Sequence, residues 1–129
     1  MLLAKDIMNK NVITVKENTP IFEAMDVLVR ENVTGLPVIT DDAHVIGIVS
    51  EKDMLSLLYD VKGKNQLVSE IMVREIVSFE EDAQLFDLCE CLIKSHFRRV
   101  PILSQGKLVG IISRRDLIRF ILKLRKKKE

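Results

Sequence analysis

Hydrophobic and polar positions along this chain follow one pattern that occurs twice. Pro37 in the first copy matches Pro101 in the second at an offset of 64 residues. One residue is then dropped, so that Asp53 matches Asp116 at an offset of 63. The deletion falls where the segment TDDAH of the first copy aligns with SQGK of the second. Both segments are rich in turn residues, and hairpin tips tolerate changes of length. The pattern therefore indicates an internal duplication.

Each copy predicts the element order strand, helix, strand, strand, helix. VITV at 12–15 and IVSF at 76–79 are short strand candidates. Apolar residues at helical spacing follow them in IFEAMDVLVREN and LFDLCECLIKSH. Two apolar runs then flank a polar turn in each copy, which predicts a β-hairpin that leads into a second helix.

Polar residues mark the expected helix starts. Asn18 and Asp82 occupy matching positions before the first long helix of each copy, and both are good N-cap residues. Asp6 and Glu70 come just before the two Ile-Met pairs, where we expect them to cap short lead-in turns. These positions predict where the backbone enters each helix.

The pattern predicts an α/β (α+β) protein made of two pseudo-symmetric β-α-β-β-α units. The hairpin runs VPIL and VGII are apolar on consecutive positions, so both faces of each sheet should be covered. A unit of about 60 residues is marginal alone, so we expect the two units to pack sheet to sheet. The predicted organisation is unit 1 at 1–59, a polar linker at 60–67, unit 2 at 68–124 and a basic tail at 125–129.

Charge and hydropathy limit the classes of partner. The net charge of +1 disfavours a global field that would steer the protein onto nucleic acid or a membrane. The basic residues at 125–129 predict a solvated, frayed helix end, with a membrane-surface or nucleic-acid contact as the alternative. No apolar run approaches the roughly 18 residues that span a bilayer, and the N-terminus does not resemble a signal peptide. We therefore expect a cytoplasmic protein.

Candidate reactive residues do not form a recognisable catalytic or metal motif. His44 and His96 have no further ligand at metal spacing. Cys89 and Cys91 are two residues apart, which places them on different helix faces, and we expect them to be small half-buried hydrophobes. We expect no enzyme activity, no metal site and no required cofactor.

The motif Ser-x-x-Asp occurs in both copies where the second hairpin strand runs into a helix. Ser50 with Asp53, and Ser113 with Asp116, have the spacing of a capping box, in which an acidic residue also suits the positive end of the helix dipole. The alternative is a nucleotide site. A glycine within the strand permits close approach of a backbone or ligand, a helix N-terminus favours phosphate, and the carboxylate can accept both hydroxyls of a ribose. On the residues alone, both interpretations stay open.

The pattern VITV, then h-P-V/I-h, then h-h-G-I-h-S-x-x-D-h, where h is apolar, resembles the CBS domain, named after cystathionine β-synthase. Two copies in tandem resemble a CBS pair, or Bateman module, over roughly residues 5–122. The resemblance implies a cleft between two units with two pseudo-symmetric sites. It implies adenosine-type ligands: AMP, ADP, ATP, S-adenosylmethionine and sometimes NAD.

The implied function is a regulatory, nucleotide-sensing module without catalysis that acts on an unidentified target protein. Family members commonly pair two modules, so we expect a homodimer, for which the apolar helix at 117–124 would be a natural contact. The alternatives are a ligand-free dimerisation or docking module, or a regulator that acts on DNA or on a partner enzyme. We expect no membrane partner, and nucleic acid is disfavoured.

The resemblance also assigns site residues. The ribose-binding Asp of the family maps onto Asp53 and Asp116, and its phosphate-contacting Ser or Thr maps onto Ser50 and Ser113. The adenine slot and neighbouring basic positions map onto Ile13, Thr14, Leu36, Pro37, Val38 and Lys52 in the first copy, and onto Val77, Ser78, Arg98, Val100, Pro101, Ile102, Arg114 and Arg115 in the second.

The two implied sites should differ in charge. The second copy has arginine at four positions where the first has Thr, Gly, Glu and Lys. In the family, ligand phosphates point toward the opposite unit, so the Asp53 site would gain Arg98 and Arg115. One guanidinium group can bind two oxygens of a phosphate at once. We therefore expect the Asp53 site to bind the more phosphorylated ligand, or to bind its ligand more tightly than the Asp116 site does. The alternative is that these arginines are surface charges.

Overall fold

A computed structural model describes residues 1–58 and 66–128 of the chain. The described chain forms two compact units. One, termed the N-unit, is Ile13–Ile76, and the other, termed the C-unit, combines Met1–Val12 with Val77–Glu129. Each unit has a three-stranded sheet with helices, so the predicted α/β class and the order strand, helix, strand, strand, helix are confirmed. The sheet-to-sheet packing of the two units stays a prediction.

The described residues of the N-unit form three strands and four helical segments. Its elements are listed in chain order: β1 (Val15–Lys16), α2 (Ile21–Glu31), β2 (Gly35–Ile39), β3 (Val45–Ser50), α3 (Glu51–Leu55), a 3-10 turn (Ser56–Leu58) and α4 (Val68–Ile71). The sheet order is β1-β2-β3. β1 is parallel to β2, and β2 is antiparallel to β3.

The C-unit repeats this architecture. Its elements are α1 (Ala4–Ile7), β4 (Phe79–Glu80), α5 (Leu85–Lys94), β5 (Arg99–Ser104), β6 (Lys107–Ser113) and α6 (Arg114–Lys128). The sheet order is β4-β5-β6, again with one parallel and one antiparallel pair. The duplication seen in the sequence is therefore a duplication of tertiary structure.

Each unit includes a short segment, termed its opening segment, that precedes the other copy in the sequence. Met1–Val12 precedes the first copy but belongs to the C-unit, and the residues that precede the second copy and end at Ile76 belong to the N-unit. In the C-unit, Ala4 donates to the carbonyl of Ala83 at 2.9 Å. In the N-unit, Ile48 and Val73 exchange two backbone hydrogen bonds of 3.0 and 2.9 Å. The predicted boundaries at 1–59 and 68–124 describe the sequence repeat and stay a prediction, whereas the compact units are grouped differently. Most of the predicted linker lies outside the described residues.

Much of the core of each unit lies between its sheet and one face of the helix that follows the first strand, which is α2 in the N-unit and α5 in the C-unit. Three residues at helical spacing are buried on each of these helices, and they are Ile21, Ala24 and Leu28 on α2 and Leu85, Leu88 and Leu92 on α5. The central strands add fully buried residues, including Leu36 and Val100. Branched and long apolar side chains at these positions remove the area from water that stabilises each unit.

The predicted N-caps Asn18 and Asp82 are wrong, because a turn separates each first strand from its helix. α2 begins after Pro20 and α5 after Gln84, both in extended backbone and without a side-chain cap bond. The amide of Thr19 bonds to the carbonyl of Lys16 at 3.1 Å, which closes the turn in the N-unit. The first strands are correspondingly two residues long and start later than the sequence predicts.

The predicted caps at Asp6 and Glu70 are confirmed. The amide of Leu3 donates to Asp6 Oδ2 at 2.8 Å, and the amide of Leu67 donates to Glu70 Oε2 at 3.2 Å. Both short helices, α1 and α4, therefore begin with a carboxylate that satisfies a free backbone donor.

Candidate functional site

The junction of β3 and α3 is held by Ser50 and Asp53. Ser50 has an extended backbone and is the N-cap of α3. Its amide and its hydroxyl both donate to Asp53 Oδ2, each at 2.9 Å, and the amide of Asp53 lies 3.4 Å from Ser50 Oγ. These contacts form a capping box, so the structural interpretation of this motif is confirmed in the N-unit.

The junction of β6 and α6 has the same geometry. The amide of Ser113 donates to Asp116 Oδ2 at 2.8 Å, and its hydroxyl donates to the same oxygen at 2.9 Å. The amide of Asp116 donates back to Ser113 Oγ at 3.2 Å. Because capping needs only residues three apart along the chain, the local sequence is sufficient to build both boxes.

Capping uses one oxygen of each carboxylate. The Oδ1 atom of Asp53 accepts no hydrogen bond from residues 1–58 and 66–128, and Oδ1 of Asp116 lies 3.5 Å from Nη1 of the exposed Arg119. Both aspartates are half-buried. A carboxylate has about four lone-pair positions, so the cap leaves capacity for hydroxyl donors of a ligand. The capping and ligand interpretations are therefore compatible.

Methionine side chains pack against the glycines within β3 and β6 and leave no room for a side chain at either position. A Cβ on Gly47 would lie 2.7 Å from Met72 Sδ, and a Cβ on Gly110 would lie 2.5 Å from Met8 Sδ. Each methionine belongs to the opening segment of its unit. The close approach predicted for a backbone or ligand is thus made by a thioether side chain. These glycines give no support to the ligand interpretation.

The predicted residues of each copy meet at one end of its sheet. Gly35 at the start of β2 pairs with Ser50 at the end of β3. β1 is parallel to β2 in the register Val15 to Val38, so Thr14 comes level with Pro37 at the same end. In the C-unit, the register Phe79 to Ile102 and the pairing of Arg99 with Ser113 place the matching residues in the same way.

The strand residues assigned to an adenine slot are core residues. The side chains in question are fully buried, and they are Leu36, Pro37 and Val38 in β2 and Val100, Pro101 and Ile102 in β5. Both strands are central in their sheets. The more accessible positions are those just before the first strands, where Ile13, Thr14 and Ser78 are half-buried and Val77 is exposed. Any contact to a ligand at this end would come mainly from these residues.

The basic residues of the candidate site have different surroundings. Lys52, Arg98 and Arg115 are exposed. Arg114 is also exposed, but its side chain donates to the C-terminal end of α5, with Nε 3.1 Å from the carbonyl oxygen of Leu92 and Nη2 2.8 Å from that of Ser95. Its guanidinium is therefore already occupied by two backbone acceptors.

The carbonyl groups of Leu28 in α2 and Leu92 in α5 occupy matching positions but accept hydrogen bonds from different kinds of donor. In α2, Asn32 adopts a left-handed conformation with φ of 53°, and the carbonyl of Leu28 accepts the amide of Val33 at 3.1 Å. The matching carbonyl in α5 is that of Leu92, which accepts from Arg114. Asparagine tolerates the left-handed region, whereas a long cation reaches the same carbonyl from another element. Sequence reasoning missed this role because Arg114 and Leu92 are far apart along the chain.

We expect Arg114→Ala to lower the free energy of unfolding by about 1–2 kcal/mol, because two carbonyls lose a charged donor. Arg115→Ala is the matched control, since Arg114 and Arg115 are both exposed and the two carbonyls of α5 are bound by Arg114, and it should change stability by less than about 0.5 kcal/mol. Urea denaturation of both variants measures this difference. Equal stability of the two variants would show that the Arg114 contacts contribute nothing.

The part of the chain that the structure describes forms neither a metal-binding cluster nor a disulfide. Within residues 1–58 and 66–128, no group of three or more His, Cys, Asp or Glu side chains could hold a metal ion. Cys89 and Cys91 are free thiols and half-buried, as predicted, and burial raises the pKa of the Cys89 thiol. Among the described helices, none is both long and apolar enough to cross a membrane.

The chain is similar to known proteins along almost its whole length. A model of the CBS domain matches residues 4–60 and again residues 68–123. Uncharacterized protein MJ1225 of Methanocaldococcus jannaschii is 33% identical over 117 residues, which are 91% of this chain and 42% of that protein. The chain spans less than half the length of the first curated relatives that it matches.

Two solved structures share the fold and contain ligands. The structure of CBSX2 from Arabidopsis thaliana in complex with AMP has a TM-score of 0.88 and 30% identity, and the match covers 97% of this chain and 99% of that one. The CBS domain pair of protein MJ0100, in complex with 5-methylthioadenosine and S-adenosyl-L-methionine, has a TM-score of 0.84 and 27% identity, with coverage of 95% and 98%.

Proposed function

We propose that this chain, which belongs to the CBS domain family, is a regulatory module that binds an adenosine-containing ligand and has no catalysis of its own. One observation carries the proposal. The chain shares its fold over 97% of its length with a CBS pair in complex with AMP. The Ser-x-x-Asp junctions of this chain leave carboxylate oxygens that are not used by the cap.

The proposed ligand contacts follow from the two junctions. Asp53 and Asp116 would accept the two adjacent hydroxyls of a ribose, because hydrogen bonds to an ionised carboxylate are about twice as strong as neutral ones. Ser50 and Ser113 hold these carboxylates in place through the contacts of the capping box. The half-buried and exposed residues that precede the first strands would pack on the base. The basic residues Lys52, Arg98 and Arg115 would supply charge for phosphate.

A thermal-shift panel of AMP, ADP, ATP, S-adenosylmethionine and NAD tests the proposal. A ligand present at 100 times its dissociation constant stabilises the folded state by about 2.7 kcal/mol, which gives a readily measured increase in the melting temperature. We expect at least one adenosine compound to produce this shift and inosine or guanosine compounds to produce a smaller one. The absence of a shift with all five compounds would contradict the proposal.

Aspartate variants separate ligand binding from helix capping. We expect Asp53→Ala or Asp116→Ala to weaken binding by roughly tenfold or more, because each removes charge-assisted hydrogen bonds, and calorimetry with AMP and ATP measures this. Each variant also loses a cap. Glu70→Ala in the N-unit and Asp6→Ala in the C-unit are matched controls, which should lower stability and leave affinity unchanged. Equal losses from both aspartate variants would contradict the predicted asymmetry between the sites.

A ligand-free docking module is the second candidate function. It is favoured by the fact that both capping boxes are complete and both strand glycines are explained without a ligand. In that case the duplication would serve stability and partner contact. It predicts that no adenosine compound shifts the melting temperature.

A homodimer stays part of the proposal, and exposed apolar side chains support it. Phe22 and Val29 on α2 are exposed, and so are the matching residues Phe86 and Ile93 on α5. Each pair is seven residues apart and so lies on one helix face. The repeated pair in both units is an apolar surface that a second copy could cover. Sedimentation of the full chain would overturn the proposal if it remained monomeric at high concentration.

A further inference from the structure

The two capping boxes leave one carboxylate oxygen of each aspartate open, and the surroundings of these two oxygens differ. In both copies the cap occupies Oδ2, which accepts from the amide and from the hydroxyl of the serine. Oδ1 is therefore the oxygen on which the proposed ribose contact depends. The side chain of Asp116 is only 18% exposed, so a donor can reach its Oδ1 from few directions.

Arg119 lies beside the open oxygen of Asp116. It follows Asp116 by three residues on α6, which brings the two side chains together on the helix surface. Its Nη1 atom is 3.5 Å from Asp116 Oδ1, and its side chain is 66% exposed. Because ion pairs in contact with solvent are weak, a ligand hydroxyl can displace this guanidinium but has to compete with it.

The matching position in the N-unit is occupied by a short side chain. Ser56 corresponds to Arg119 at the offset of 63 residues. Its hydroxyl donates to the backbone carbonyl of Asp53 at 2.6 Å and not to the carboxylate. Within the described part of the chain, Oδ1 of Asp53 accepts no hydrogen bond. A ligand hydroxyl at Asp53 therefore has no described side chain to displace.

The helices that follow the two boxes also differ in length. α3 ends at Leu55, whereas α6 continues to Lys128. Residues 125–128, expected from the sequence to be frayed, are therefore helical, and Glu129 lies outside the described residues. Arg119 follows the first turn of this long helix, so its backbone position relative to Asp116 is fixed by helical hydrogen bonds. The guanidinium is thus held within reach of the carboxylate.

We infer that Arg119 lowers the affinity of the Asp116 site for ribose hydroxyls by competing for Oδ1, whereas no described residue competes in this way at Asp53. The inference rests on the proposed function, in which these carboxylates bind a ribose. It gives a cause of unequal affinity that does not involve phosphate and that acts within each unit. An exposed ion pair of this kind changes affinity by roughly two- to fivefold.

Calorimetry with adenosine tests the inference, because this ligand carries no phosphate that the displaced guanidinium could bind. The Asp53→Ala background isolates the Asp116 site, and there Arg119→Ala should tighten adenosine binding roughly two- to fivefold. The gain should vanish with 2′,3′-dideoxyadenosine, which lacks both hydroxyls. Lys123→Ala removes another exposed basic residue of α6, and this matched control should leave the affinity unchanged.

The reciprocal change tests the same contact in the N-unit. Ser56 has a right-handed helical backbone, so an arginine there would stand three residues after Asp53 in a similar way. In the Asp116→Ala background, Ser56→Arg should weaken adenosine binding by a similar factor. Ser56→Ala loses the same hydroxyl and should bind adenosine like the parent. Circular dichroism melts establish that every variant is folded.

The outcomes separate this inference from the proposed function. An unchanged or lowered adenosine affinity in Arg119→Ala, or a gain that persists with 2′,3′-dideoxyadenosine, would overturn the inference and leave the proposed function standing. Absence of adenosine binding by the unmodified chain would also overturn it. The proposed function would fall as well only if the five compounds of the thermal-shift panel produced no shift.

Discussion

Gly110→Ala is expected to destabilise the protein by about 1–3 kcal/mol, the usual cost of overpacking a filled site. An added Cβ would lie 2.5 Å from Met8 Sδ and 3.0 Å from Met8 Cβ. Rotation of the thioether relieves the first contact, but the second involves an atom attached to the backbone. Thermal and urea denaturation measure the loss.

The double variant Met8→Ala, Gly110→Ala tests the cause of this effect. Removing the methionine side chain makes room for the new Cβ, so Gly110→Ala should cost much less in the Met8→Ala background. Gly47→Ala is the counterpart in the N-unit, where Met72 Sδ lies 2.7 Å and the carbonyl oxygen of Val73 3.0 Å from the added Cβ. Should Gly110→Ala weaken ligand binding while stability is unchanged, the glycine would serve a ligand and not the methionine.

The second large effect is expected from Leu88→Ala on α5. Leu88 is 0% exposed and belongs to the core cluster of the C-unit together with Leu92, Val100, Ile102 and Ile112. Truncation removes buried methyl groups and leaves a cavity, which costs about 2–5 kcal/mol. Urea denaturation of the variant measures the loss.

Ile93→Ala on the same helix is the matched control for Leu88→Ala. Ile93 is 78% exposed in the single chain, so the same kind of truncation should change the stability of the monomer, measured at low protein concentration, by less than about 0.5 kcal/mol. A similar loss from both variants would mean that the exposed face of α5 is covered in solution. In that case sedimentation should show the homodimer that the exposed apolar pairs support.

Local features of this protein were predictable because they depend on residues close together in the chain. The caps formed by Asp6 and Glu70 and the boxes at Ser50 and Ser113 each join residues three apart. The period of the apolar residues likewise predicted two amphipathic helices, and Leu85, Leu88 and Leu92 of α5 are buried, whereas Ile93, which fits the same period, is exposed. Asn18 and Asp82 were misassigned because an intervening turn competes for the same polar residues, and turn and cap chemistry use similar side chains.

The sequence alone determined the duplication, the alternation of strands and helices in each copy, and the paired carboxylates at the two junctions. Tertiary structure decided which opening segment joins which unit, that Met8 and Met72 cover the strand glycines, and that Arg114 binds the carbonyl of Leu92. The physical reason is the distance along the chain between the residues that interact. Periodicity and capping are set by neighbours within one turn of the chain, whereas these contacts join distant segments whose meeting depends on how a whole unit packs.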